Sequence, residues 1–229
     1  MSSCQNSVMP RHRWMDRLPG RIRRGFRLVS TIPVTTLVVV AVLAIAAFPD
    51  AAGLLQYNSQ AGPWWTVLTG HLVHYNADHL FWDLVVFAGV GALLERRSRG
   101  LMLATLLGSG LLIPWLSVTG NPVVTTYAGL SGVDTALFAA FATLMGLDSL
   151  RQRRSAECCL YVGLLLAMLG KSLFELVTGS TLFVSSSAFV ALPGAHVLGG
   201  GMGVLLAAFW CFAGLRASAR AVGAGNRHR

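Results

Sequence analysis

The segment AGLSGVDTALFAAF, starting at Ala128, is apolar enough for a buried helix, yet Ser131 stands between glycines and Asp134 follows three residues on. Two more apolar runs begin in the same way. GAHVLGGGMG brings His196 to the start of one, and HLVHYNADHLFWD brings His74, His79 and Asp83 to the start of another. A serine hydroxyl becomes a nucleophile when a base lies within hydrogen-bond reach, and imidazole is the usual base near neutral pH. Ser131 and His196 would form such a pair across two helices. The first N–H groups of a helix have no intrahelical acceptor, so Ser131 would also stand where an oxyanion can be held. Gly129 and Gly132 leave room for a peptide backbone to approach. The chemistry that suits this set is acyl transfer, with no metal or cofactor required. A lone serine in an apolar helix is more often a packing residue, and a lone histidine a structural one. The set as a whole points to a reaction site.

The elements that must position these residues follow from composition. Hydrophobic residues make up 54% of the 229 and charged residues 12%, and mean hydropathy is +0.62. A soluble domain carries roughly twice that charged fraction. The composition is that of a polytopic membrane protein. A net charge of +9 raises nucleic-acid binding, but the basic residues cluster between apolar runs without aromatic interleaving, which excludes a counterion-releasing nucleic-acid face. Cys4, Cys158, Cys159 and Cys211 have no metal-ligand spacing and read as packing residues.

Crossing about 30 Å of hydrocarbon takes about 20 apolar residues, and six stretches qualify: 31–48, 78–95, 101–119, 128–148, 158–178 and 193–215. Every Lys and Arg except Lys171 lies in the N-terminal segment, the 95–100 and 148–157 connections, or the C-terminal tail. The connections 49–77, 120–127 and 179–193 contain none. By the positive-inside rule both termini are cytoplasmic and those three connections lie outside. The chain divides into a basic cytoplasmic segment 1–30, a membrane domain 31–216 and a basic tail 217–229. Trp64 and Trp65 suit the membrane interface.

Ionisable groups inside a bilayer are costly and mark function. Spans two, four and six run inward, so His79, Asp83, Ser131, Asp134 and His196 all fall near their outer ends. Span five runs outward and brings Lys171 and Glu175 to the same zone. All lie about 5–10 Å below the outer surface by helical rise. Four helices thus surround a polar, water-accessible cavity. A transporter would place polar groups in both leaflets and show an inverted repeat; the sequence has neither.

These residues resemble the rhomboid family of intramembrane serine proteases, a six-helix, all-α membrane bundle. GLSG at 129–132 is similar to the family's nucleophile motif, with Ser131 in the nucleophile's place. GAHVLGGGMG at 194–203 resembles its last core helix, with His196 as the base and Gly199 and Gly203 packing against span four. HLVHYNADHLFWD resembles the second-helix motif, which implies an oxyanion-stabilising His79 and a structural His74. LLERRSRG at 93–100 resembles the cytoplasmic turn that follows. The resemblance covers all six spans and implies a Ser–His dyad without cofactor.

Two positions depart from the pattern. Asp83 stands where the family has an oxyanion-holding asparagine. An ionised carboxylate there would repel the oxyanion, so Asp83 must be protonated, paired or given another role. Thr135 replaces a tyrosine that stacks under the base. GKSLFELVTG at 170–179 is similar to the rhombosortase branch, which cleaves proteins near a C-terminal Gly-Gly-containing membrane anchor. That branch implies membrane-anchored protein substrates, the lipid bilayer as partner, and a place in the cell inner (plasma) membrane. Lys171 and Glu175 lie one turn apart, so an Asp134–Lys171 or a Lys171–Glu175 ion pair is expected, with a structural or gating role. The rival reading is a catalytically inactive relative that binds transmembrane helices.

Overall fold

The computed structural model describes residues 31–119, 124–182 and 192–225. The basic segment 1–30, parts of the connections around 120–123 and 183–191, and the last four residues lie outside the described residues. In chain order the helices are α1 (Pro33–Ala46), α2 (Pro49–Leu55), α3 (Thr66–Thr69), α4 (Ala77–Arg97), α5 (Arg99–Thr119), α6 (Ser131–Arg151), α7 (Ser155–Thr178) and α8 (Pro193–Gly225). One short antiparallel ladder, β1 (Tyr57–Asn58) with β2 (Thr126–Tyr127), ties the segment after α2 to the segment before α6.

Helices α4 to α8 are long and apolar enough to cross a membrane, and they mark an all-α, membrane-embedded protein. The expected first span, 31–48, differs. Its helix has 14 residues, about 21 Å at the α-helical rise, against about 30 Å of hydrocarbon. Two prolines explain the shortening. Pro33 sits in the first turn, where its missing N–H costs nothing. Pro49 excludes the α conformation at Phe48, whose φ is −127°, and the chain restarts as α2.

Each spanning helix starts and stops for local reasons. Asn76 caps α4, its side chain accepting from the His79 N–H at 2.7 Å, which stabilises such a terminus by about 1 kcal/mol. Gly179, at φ +68°, ends α7 in the left-handed conformation that favours glycine. At the basic end of the bundle the Glu95 carboxylate, almost wholly buried, caps a helix other than its own. It accepts from the N–H groups of Val34 and Thr35 at 3.0 and 2.8 Å and from the Thr35 hydroxyl at 2.8 Å, and it pairs with Arg99 at 3.2 Å. Two orphan N–H groups at the start of α1 and one hydroxyl are thereby satisfied without water.

Helix α6 is the centre, packed against α5, α7 and α8. Its Val133, Leu137, Ala140 and Leu144 form the main core with Leu94, Leu101, Met102 and Ala207. Helix α7 is the outermost, with Leu160, Leu166 and Leu173 exposed on an apolar exterior suited to hydrocarbon. The closest helix contact joins α6 to α8. A Cβ at Gly199 would run into the Gly132 carbonyl oxygen, and one at Gly203 into the Ala136 carbonyl. Only glycine permits this approach. We expect Gly199→Val to destabilise the bundle by about 2 kcal/mol or more, read as a lower Tm in detergent; an unchanged Tm would show slack between α6 and α8.

Candidate active site

A cavity of about 730 Å³ opens among the ends of α4, α6, α7 and α8 opposite the Glu95 cap. Ser131, Asp134, Lys171, Glu175 and His196 line it, with His79 and Asp83 on the α4 side. The polar residues of four separate helices therefore do converge.

Ser131 is the first residue of α6. The N–H groups of Ser131, Gly132 and Val133 precede the first intrahelical bond, which Asp134 donates to the Leu130 carbonyl at 2.8 Å. His196 enters one turn into α8, and its neighbour Ala195 sits against Gly132, so the glycine contact between the helices also sets the two side chains on one wall. No hydrogen bond joins Ser131 to His196 among the described residues. Such bonds are often long before substrate arrives. The base is nonetheless fixed: its Nδ1 lies 2.7 Å from Glu175 Oε2. A carboxylate can only accept, so Nδ1 carries a proton, which leaves Nε2 as the basic nitrogen of the neutral imidazole.

Glu175 is fully buried and its other contacts are also donors. Lys171 Nζ lies 2.8 Å from both carboxylate oxygens, and the Leu182 N–H donates to Oε1 at 2.8 Å. Of the two expected ion pairs, Lys171–Glu175 forms. The partnership of Glu175 with the base was not foreseen, because that bond spans two helices and no spacing along the chain reports it.

Asp83 resolves the first departure by pairing. Its Oδ2 accepts from the Leu130 N–H at 2.9 Å and lies 3.1 Å from His74 Nε2 and 3.2 Å from His79 Nε2. The carboxylate therefore anchors the loop before Ser131. Gly129 in that loop has φ +110°, and a Cβ there would come within 2.8 Å of the His79 ring, so both conformation and space require glycine. Thr135 bonds back to the Ser131 carbonyl at 2.8 Å.

One supporting residue escaped the sequence reading. His71 is buried, with Nε2 2.9 Å from the Gly110 carbonyl and Nδ1 3.1 Å from the Gly129 carbonyl. The signal lay four residues away from Gly110. Pro114 sits inside α5 and has no N–H, so the Gly110 carbonyl lacks its helical donor and His71 supplies one. Among the described residues no group of three or more His, Cys, Asp or Glu side chains is arranged to hold a metal. Compared with known proteins, the chain matches no family model and no curated sequence.

The Pro114–Gly110–His71 relation is testable as a cycle. We expect His71→Ala to cost about 1–3 kcal/mol by stranding the carbonyl. Pro114→Ala should recover a clear part of that loss in the His71→Ala background, because it restores the helical N–H. Equal stabilities for the single and double variants in a thermal melt would refute the link.

Proposed function

We propose that this chain is an intramembrane serine protease of the rhomboid type, a six-span bundle in the cell inner (plasma) membrane with both termini cytoplasmic. The basic clusters next to the apolar helices support that orientation. One observation carries the proposal: His196, held at Nδ1 by a buried carboxylate, shares a cavity with a serine at a helix N-terminus. An orienting carboxylate, a tautomer-fixed imidazole and a hydroxyl beside unpartnered N–H groups are the parts that acyl transfer needs.

The mechanism follows from these positions. A membrane-anchored substrate unwinds at small residues and enters the cavity from the outer leaflet. Nε2 of His196 takes the proton of the Ser131 hydroxyl as Oγ bonds to the scissile carbonyl carbon. The carbonyl oxygen becomes an oxyanion held by the first N–H groups of α6; His79, expected as a second donor, has its Nε2 turned to the Asp83 carboxylate. The imidazolium, stabilised by Glu175, returns the proton to the departing amine as the C–N bond breaks. Water, deprotonated by His196, attacks the acyl-serine; the acid leaves and Ser131 recovers its proton. Asp83 is the loop anchor in this scheme and not a donor to the oxyanion.

The substrate class is membrane-anchored protein, with rhombosortase-like cleavage near a C-terminal Gly-Gly anchor as the narrower form. The test is release of a reporter carrying such an anchor. Wild type should release it, and Ser131→Ala and His196→Ala should not. Glu175→Gln should lose about two to four orders of magnitude by analogy with the loss of an orienting carboxylate in a serine triad. A Glu175→Gln protein as fast as wild type would remove Glu175 from the mechanism. The second reading, a helix-binding relative without activity, is favoured by the absent Ser131–His196 bond. Failure of a fluorophosphonate probe to label Ser131 would establish it and overturn the protease.

A further inference from the structure

Asp134 is the one acidic side chain of the cavity wall that the mechanism leaves unused. It lies one turn beyond Ser131 on α6, it is 5% exposed, and neither carboxyl oxygen has a hydrogen-bond partner among the described residues. The acids around it are all engaged: Asp83 with two histidines and a backbone N–H, Glu175 with His196, Lys171 and Leu182. Lys171, the cation of the cavity wall, is turned to Glu175. Thr135 is turned to the Ser131 carbonyl. A buried carboxyl without a partner is costly and is kept where something supplies the missing bond.

We propose that Asp134 accepts a hydrogen bond from a backbone N–H of the bound substrate. The inference rests on the protease reading and adds the group by which the enzyme recognises an unwound chain. A transmembrane segment that leaves its helix to reach Ser131 exposes N–H groups that its own helix no longer satisfies. Asp134 presents the complementary deficit, acceptor atoms without donors. The separation fits. Three residues of helix advance about 4.5 Å, and one residue of extended chain about 3.3–3.6 Å. The docked N–H therefore belongs to a residue one or two places from the scissile bond. An intact helix has no free N–H to offer there, so Asp134 selects substrates whose backbone has opened. Proline at that residue is rejected for lack of the donor.

The experiment uses the full chain in membranes and an anchored reporter. Each of the two residues on either side of the cut is changed singly to proline. Wild type, Asp134→Asn and Asp134→Leu are compared for cleavage and for fluorophosphonate labelling of Ser131. Asparagine keeps an acceptor oxygen without the charge, so Asp134→Asn should cleave within about threefold of wild type. Asp134→Leu should label normally but cleave at least about tenfold more slowly, the loss expected for one buried hydrogen bond. One proline position should cost wild type about tenfold and cost Asp134→Leu nothing further. Wild-type cleavage by Asp134→Leu would overturn the proposal. A fall in Asp134→Asn equal to that in Asp134→Leu would overturn it too, in favour of a cationic group. If Asp134→Leu fails to label, the wild-type scan decides, and four equal proline effects reject the N–H contact. No labelling of wild type would sink the protease reading itself, an outcome separate from all of these.

Discussion

The contact between α6 and α8 fixes everything near the cavity. Where Gly199 meets the Gly132 carbonyl and Gly203 the Ala136 carbonyl, the two backbones are too close to admit a Cβ. In lipid such contacts derive from packing, since apolar surface gains nothing by leaving hydrocarbon for protein. The contact lies beside Ser131 and one turn from His196, so the distance between the two helices governs how the two side chains meet. A methyl group at either glycine would push the helices, and with them the side chains, apart.

A second constraint runs through the whole bundle: backbone groups away from water need partners from the protein. The structure meets it with side chains from elsewhere in the chain. Glu95 supplies the start of α1, His71 replaces the donor missing at Pro114, Asp83 takes the Leu130 N–H, and Glu175 takes that of Leu182. Three of these four arrangements also support the cavity, His71 through the Gly129 carbonyl. The loop before Ser131 is held by Asp83, and the segment after α7 is tied to the carboxylate that holds His196. Structural satisfaction and the proposed chemistry use the same atoms, so damage to one should be read carefully against the other.

How much of this was legible in sequence depended on whether a signal was local. Apolar runs bounded by arginines located the spanning helices to within a few residues, because length and hydropathy are properties of a segment. Capping by Asn76 and termination at Gly179 are local as well. The convergence of Ser131, Asp134, His196, Lys171 and Glu175 followed from counting helical rise inward from each end. At 31–48 the helix is shorter than the apolar run, ending at Ala46 ahead of Pro49. The count could not choose between the two partners offered to Lys171, nor reveal that Glu175 faces His196. Those are rotational facts, fixed when helices far apart in sequence settle against one another. His71 was hidden for the same reason, although Pro114 marked the vacancy it fills.

Helix α4 contains a wider turn, a π-helical stretch at Phe87–Gly91. His79, Asp83, Phe87, Gly91 and Glu95 follow one another at every fourth position, and all are buried. In an unbroken α-helix such a series precesses by about 40° per step, so Glu95, three steps on, would point about 120° away from Asp83. The π turn absorbs roughly one residue of rotation, about 100°. The two ends of α4 are thereby brought into phase. The helix works as a keyed shaft: the carboxylate anchoring the serine loop at one end and the carboxylate capping α1 at the other engage their sockets at a single rotational setting. The angle of α1 is thus geared to that of the cavity wall across the full thickness of the bundle.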